Sequence, residues 1–535
     1  MSLSPQLRDA AVRWIADDPD PRTRDELQRV LAAAMAGAAG AVEDLADRMS
    51  GMLRFGTAGL RGPVRAGPNG MNVAVVRRAT AGLAAWLARG GQRGTVVVGR
   101  DARHGSAVFA TATAQVLTGA GFTVRVLPGP SPTPVLAFAV RQLGAVAGVQ
   151  ITASHNPPAD NGYKVYLSDG AQLAPPVDAE IEAAIAAAPP AISIPTADTA
   201  TEVDVTDAYL DRVARLPRGA SRDLRIALTP MHGVGGAAAV EALHRAGFPN
   251  VHVVGSQAAP DPDFPTVTFP NPEEPGAVDA LIETAERVRA DLAIALDPDA
   301  DRCALAVPVA DGWRTLTGDE TGVLLGDHLL RSGGYADPLV ATTVVSSSML
   351  RSIAAAYGAR YAETLTGFKW IVRGGPGLVY GYEEALGYCV DPDTVRDKDG
   401  IAAAVLAADL AATLKADGFG LPDRLDELAV AHGVHLTEGI SLRMEPAARD
   451  AAAAELRSNP PPGWESELPA PDVLVLRRPG ERLVIRPSGT EPKLKAYLEV
   501  VEPVADAAAL DGAKAAARSR LDALRAEVRR LLGAR

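Results

Sequence analysis

The 535-residue chain has only two cysteines, Cys303 and Cys389. They are too few and too far apart for a disulfide framework or a zinc cluster, which excludes a small stapled secreted domain and fits a reducing compartment. Positive charge is also in deficit. With 65 acidic residues against 53 Lys and Arg, the net charge is −12, so bulk electrostatics will not draw nucleic acid or an anionic membrane, and any anion site has to be built locally. No uninterrupted apolar run reaches the roughly 18 residues of a membrane span, and residues 1–10 lack the basic-then-apolar pattern of a leader. The expectation is a cytoplasmic protein with no nucleic-acid or membrane partner. Lysine is scarce, seven against 46 arginines, so the position of each lysine carries information.

What is present is ordinary globular composition: 47% hydrophobic and 22% charged residues, enough for several cores in three to five domains. Residues 1–50 have helical spacing and few strand signals. From residue 95 the text turns to short β-branched runs separated by helical stretches, with strands expected at 95–99, 123–127 and 145–151. That alternation predicts a mostly parallel α/β sheet. A Pro- and Ala-rich stretch over 189–201 reads as a linker into a second unit with strands at 225–228, 251–254 and 292–296. A third unit begins near Gly318. The last hundred residues have strands at 473–476, 482–485 and 495–501 without intervening helices, then a long helix over 506–532. The expected fold class is therefore α/β, three similar mixed α/β domains followed by a C-terminal α+β domain around a central cleft.

Four loops carry chemistry. In 152–164, a strand delivers Ser154 into a turn rich in Asn, Pro and Gly, placing a hydroxyl where α/β sheets bind ligands. The Gly-x-Ser-x-Gly elbow of a hydrolase is absent. In 297–302, Asp297, Asp299 and Asp301 alternate after an apolar strand and can converge on one hard cation. An EF-hand is rejected, because Arg302 stands where that loop needs Gly and Pro308 where it needs Glu. A phosphoaspartate nucleophile at Asp297 remains a rival for this loop taken alone. In 381–388, Glu383 and Glu384 lie between glycines and could accept hydrogen bonds from sugar hydroxyls, although a solvated turn has the same composition. In 486–490, Arg486 leads into Ser488, Gly489 and Thr490, a compact anion cradle. A further Gly-rich loop over 55–62 contains Arg61. Lys164, Lys369, Lys398, Lys493 and Lys495 lie in or beside these loops, where a compact or deprotonatable ammonium is useful.

Together and in this order, the motifs resemble the α-D-phosphohexomutase superfamily of phosphoglucomutases and phosphomannomutases, from about residue 45 onward. The resemblance implies a helical extension over 1–45 and four domains, over 46–204, 205–317, 318–432 and 433–535. It makes Ser154 a phosphoserine, with Mg²⁺ held by its phosphate and by Asp297, Asp299 and Asp301. Lys164 matches the general acid/base and Arg61 an arginine near the reacting phosphate. Arg302, His155, Lys369 and Glu383 would bind substrate, while Arg486, Ser488, Gly489 and Thr490 would hold the distal phosphate. The implied activity interconverts hexose 1-phosphate and hexose 6-phosphate, of glucose or mannose, through a 1,6-bisphosphate, with a glucose 1,6-bisphosphate-type activator. Ala385 stands where many members have Ser, and the 383–388 motif with 397–400 is similar to the branch containing phosphopentomutase and sugar-bisphosphate synthase. A phosphoaspartate phosphatase and a non-catalytic sugar-phosphate sensor are the more distant alternatives.

Overall fold

The computed structural model describes residues 3–54, 59–487 and 493–532 and contains two compact units. The first comprises Met1–Pro217, Arg225–Cys303 and Asp393–Val405. Its chain begins with three helices, Pro5–Asp17, Pro21–Met35 and Ala41–Arg48. Ser4 and Asp20 cap the first two, each followed by a proline at the first helical position, where the missing N–H costs nothing. Trp14, Leu27, Leu31 and Leu45, one or two from each helix, form one core cluster with Ala74 and Val75 of helix Val73–Arg89.

Beyond these helices lies a six-stranded sheet in the order Leu60–Pro63, Asp160–Leu167, Ala147–Ile151, Thr95–Arg100, Thr123–Val126, Thr201–Glu202. The central pairs are parallel, as the strand-helix alternation predicts. Asp160–Leu167, however, runs antiparallel to both neighbours. The segment 152–164, expected to be one loop, is therefore a short turn followed by a strand, and Lys164 sits on that strand. The stretch over 189–201, expected as a structureless linker, holds a 3₁₀ turn at Ala191–Ser193 and reaches the edge strand Thr201–Glu202. A second group of parallel strands, Ile226–Thr229, Val251–Val253 and Leu292–Leu296, alternates with helices Gly236–Arg245 and Asp279–Val288. Leu292–Leu296 is buried throughout, as an apolar strand covered on both faces should be.

The second unit comprises Arg218–Leu224, Ala304–Pro392 and Leu406–Arg535. Strands Arg360–Thr364, Leu339–Thr343 and Leu378–Glu383 are parallel, and Gly387–Cys389 adds antiparallel to the last. Helix Gly318–Ser332 starts with a reciprocal capping box between Thr317 and Glu320. The C-terminal part is a five-stranded antiparallel sheet in the order Val434–Arg443, Lys493–Glu502, Glu481–Pro487, Val473–Arg478, Glu465–Ala470. Helices Pro446–Ser458 and Leu510–Leu531 accompany it. Two of its strands, Val434–Arg443 and Glu465–Ala470, and helix Pro446–Ser458 add to the three strands and closing helix read from sequence. Among the described residues no helix is long and apolar enough to cross a membrane.

Candidate active site

Strand Ala147–Ile151 ends at full burial and hands the chain to Thr152, Ala153 and Ser154, all buried. Ser154 has φ 53°, a left-handed conformation that costs a non-glycine residue about 1–3 kcal/mol and persists only where its surroundings impose it. The imposing group is Arg103. Its guanidinium donates to the carbonyls of Ser154 at 2.7 Å, Asn156 at 2.6 Å, Pro157 at 2.8 Å and Asp160 at 3.2 Å, and Asp101 lies 3.4 Å from its Nε. The Ser154 N–H donates to Thr152 Oγ1 at 2.9 Å. The Ser154 hydroxyl then donates to Asp297 Oδ2 at 2.7 Å.

Asp297 opens the turn after Leu292–Leu296. Ala300 N–H closes it onto the Asp297 carbonyl at 2.9 Å with Ala300 at φ 56°, so the three alternating carboxylates face one point. Asp297, Asp299 and Asp301 are fully buried, and one oxygen of each lies within 4.8 Å of the others. Three such carboxylates need cations beside them. Lys164 Nζ lies 2.7 Å from Asp299 Oδ2 and 2.8 Å from Asp301 Oδ2, and Lys398 Nζ lies 3.1 Å from Asp301 Oδ2. Thr133 Oγ1 adds a donor to Asp299 Oδ2 at 2.6 Å. Burial opposes ionisation of all three, but Lys164 holds Asp299, and Lys164 with Lys398 holds Asp301, below the usual carboxylate range. Asp297 faces no lysine, and burial together with its two acidic neighbours pushes it well up. Burial disfavours the Lys164 ammonium, yet Asp299 and Asp301 outweigh it and hold the group charged.

The second oxygens, Asp299 Oδ1 and Asp301 Oδ1, are buried without a hydrogen-bond partner. Orphaned oxygens on two of three carboxylates that approach one another within 4.8 Å suit the oxygen donor set of a hard divalent cation. The residues present therefore fit a metal ion. Around this centre, Arg302 N–H donates to Asp297 Oδ1 at 3.0 Å, and Arg61 Nη1 donates to Asn156 Oδ1 at 2.9 Å. Burial lowers the His155 pKa well below its ordinary value, and Arg302 and Arg61 lower it further, so the ring stays neutral.

In the second unit, Glu383 ends strand Leu378–Glu383 and is buried. Glu384 to Leu386 form the tight turn to Gly387–Cys389, with Leu386 at φ 63°. This is a hairpin with Glu383 buried and Glu384 partly buried, rather than a solvated turn. Lys369 lies on the short helix Phe368–Ile371. Arg486 is partly buried on Glu481–Pro487, opposite Lys495 in the register. Ser488, Gly489 and Thr490 lie outside the described residues, as does most of the Gly-rich loop before Arg61.

Sequence profiles for phosphoglucomutase/phosphomannomutase alpha/beta/alpha domains I, II and III match residues 52–191, 207–310 and 317–428, and the profile for the C-terminal domain matches 445–517. A Haemophilus influenzae protein described as a "probable phosphomannomutase" is 43% identical over 80% of this chain and 93% of its own length. The chain belongs to the phosphoglucomutase/phosphomannomutase family. It is a phosphosugar mutase, an enzyme of the phosphotransferase type. The phosphopentomutase of Mus musculus is 33% identical over 82% of this chain and 76% of its own. The crystal structure of a phosphoglucomutase/phosphomannomutase family protein from Burkholderia thailandensis shares the fold, with TM-score 0.71, 20% identity and coverage of 89% and 97%.

Sequence reasoning about this mutase singled out Ser154, Lys164, Arg61, His155, the three aspartates and Arg302, all of which the first unit gathers. It passed over Arg103 and Thr133, and it noted Lys398 without a role. Arg103 follows Asp101 directly after the strand Thr95–Arg100, a position that nothing in the sequence sets apart from the other arginines. Lys398 arrives on the segment Asp393–Val405. There Asp397 accepts from Tyr166 Oη at 2.7 Å and Gln172 Nε2 at 2.6 Å. A Cβ at Gly400 would overlap the Arg302 carbonyl, so glycine is what lets this segment approach the acidic turn.

Proposed function

We propose that the protein interconverts the 1- and 6-phosphates of a hexose, glucose or mannose, through a phosphoserine at Ser154 and a hexose 1,6-bisphosphate. The observation that carries this reading is the buried Ser154 hydroxyl, held in left-handed backbone and hydrogen-bonded into the three-aspartate cluster. In the first half-reaction the bond from phosphorus to Ser154 Oγ breaks as a bond forms from phosphorus to the free sugar hydroxyl, whose proton leaves. After the bisphosphate turns round, its other phosphate returns the phosphoryl group to Ser154 Oγ and the sugar oxygen regains a proton. Lys164 Nζ, in its neutral form, takes the hydroxyl proton in the first half-reaction, and the resulting ammonium, the form Asp299 and Asp301 favour, returns it to the sugar oxygen when that oxygen is the leaving group.

Arg302 and Arg61 neutralise charge on the transferred phosphoryl oxygens, which is where fixed cations lower the barrier. Neutral His155 offers a hydrogen bond to substrate. Asp297, Asp299 and Asp301 would hold Mg²⁺, which when bound polarises the phosphoryl group. Lys369 and Glu383 would bind the sugar, and Arg486, Ser488, Gly489 and Thr490 the non-reacting phosphate. Because a lost phosphoserine must be restored, a sugar bisphosphate would serve as activator. The domain limits that accompany this reading are 46–204, 205–317, 318–432 and 433–535 behind a helical extension over 1–45. Two buried free cysteines suit a cytoplasmic setting. The turn residue Ala385 and the 33% identity to a phosphopentomutase favour pentose 1-phosphates as the second substrate class to assay.

The test is peptide mass spectrometry of the isolated protein, joined to a coupled assay with glucose, mannose and ribose 1-phosphates, each with and without glucose 1,6-bisphosphate. Phosphate on Ser154, hexose turnover stimulated by the bisphosphate, and loss of both in Ser154→Ala are expected. Phosphate confined to Asp297, or full activity in Ser154→Ala, would overturn the mechanism.

A further inference from the structure

In the second unit the strand Glu481–Pro487, which bears Arg486, carries a second arginine, Arg482, four residues earlier and therefore on the same face. Arg482 is 4% exposed and pairs across the sheet with Glu499, 3% exposed, at 2.8 Å. Its remaining donors leave the sheet altogether. Nη1 donates to the Val344 carbonyl at 2.9 Å and Nη2 to the Ser346 carbonyl. Glu499 Oε1 in turn accepts from Ser348 N–H at 2.7 Å and from the Ser347 hydroxyl at 3.1 Å. Ser346 continues the chain of contacts. Its hydroxyl accepts from Glu384 N–H and donates to Glu384 Oε2, both at 3.2 Å, next to Glu383 on the hairpin.

A buried guanidinium that, besides facing Glu363 Oε2 at 3.7 Å, spends two donors on carbonyls of the turn after strand Leu339–Thr343 is more than its own sheet requires. Val344, Val345, Val475 and Val484 already close that contact with apolar surface, and Glu499 would be neutralised by any cation. The two carbonyl bonds fix where the 344–348 segment sits relative to the Arg486 strand, because a planar fork admits one geometry. We infer that Arg482 is a positioning residue for substrate. It ties the strand bearing the phosphate-binding Arg486 to the segment that holds the Glu383–Glu384 hairpin, and so sets the distance over which the enzyme reads a sugar and its non-reacting phosphate together. This rests on the roles proposed above for Glu383 and Arg486.

The informative variant is Arg482→Lys, which keeps a cation beside Glu499 but lacks the fork for both carbonyls. KM for the hexose phosphate should rise roughly tenfold, as expected for slight misplacement of a binding group, with kcat and Ser154 phosphorylation little changed. The decisive readout is a double-mutant cycle. Adding Arg482→Lys to Arg486→Ala should raise KM no further, because the residue it positions is gone. Ser346→Ala, which cuts the link at its middle, should show the same non-additivity if Arg482→Lys fails to fold. An unchanged KM, or a full additional rise in the Arg486→Ala background, would overturn the inference. Absence of sugar-phosphate turnover in the unmutated enzyme would instead overturn the functional reading on which it rests.

Discussion

The carboxyl of Glu384 is pushed up to about 7, first by burial and then by the charges of Glu383 and Asp319, while the Ser346 hydroxyl pulls weakly the other way. Its ordinary value is 4.5. A carboxyl whose pKa is higher in the folded protein than in the unfolded chain favours folding in its neutral form. That contribution is complete below about pH 4.5 and is lost as the pH rises through 7. At 1.36 kcal/mol per unit, the full span is about 3 kcal/mol, of which roughly 2–3 kcal/mol falls between pH 5 and 8. Glu384→Gln keeps the shape and an acceptor oxygen for Ser346 and Thr343 but removes the titration. The variant should therefore gain on the native protein as pH rises. For a unit of roughly 200 residues the difference in Tm should widen by about 5–10 °C between pH 5 and 8. Differential scanning calorimetry of both proteins across that range reads it directly. Parallel pH profiles, or a gap that widens toward acid, would refute the assignment of a raised carboxyl at this turn.

Two further outcomes follow from the site. Asp299→Asn keeps the volume but withdraws one buried negative charge from the cation set, so turnover should fall at least a hundredfold, in keeping with a metal that supplies several kcal/mol; dialysis against EDTA should silence the native enzyme, and undiminished turnover would exclude the role. Arg486→Ala should lower kcat/KM by about ten- to two-hundredfold, the worth of a charge-assisted contact of roughly 1.5–3 kcal/mol, equally in both directions of the reaction; a defect in one direction alone, measured with 1- and 6-phosphates in turn, would show that the bisphosphate does not reorient.

The α/β alternation was legible because strands such as Thr95–Arg100 and Leu292–Leu296 are β-branched or apolar runs buried on both faces. Asp160–Leu167 was not, because Asp, Asn and Gly at its start read as turn and a lysine in its middle contradicts a buried strand. Six of its eight residues are nevertheless buried. Lys164 is tolerated there because Asp299 and Asp301 meet it, 135 and 137 residues away in sequence. Glu465–Ala470 left no alternation because it is an exposed edge strand. Arg103 was hidden for a compositional reason. In a chain with 46 arginines, one more stands out only when its four carbonyl acceptors are seen.

Lysines make the hydrogen-bonded contacts to Asp299 Oδ2 and Asp301 Oδ2 in the acidic turn, while Arg302 Nε stays 3.7 Å from Asp301 Oδ1. An arginine fork prefers both oxygens of one carboxylate and would occupy Asp299 Oδ1 or Asp301 Oδ1. The compact ammonium of Lys164 instead bridges one oxygen of each aspartate at 2.7 and 2.8 Å, and Lys398 shares the Asp301 oxygen already taken. Two positive charges are thereby placed against three buried carboxylates while Asp299 Oδ1 and Asp301 Oδ1 keep no hydrogen-bond partner. Two other arginines serve the serine turn instead. Arg103 holds the backbone that presents Ser154, and Arg61 reaches Asn156 of the same turn. Fork geometry is used where a fixed backbone is needed, and point charge where carboxylate oxygens must be neutralised yet left free to take a cation.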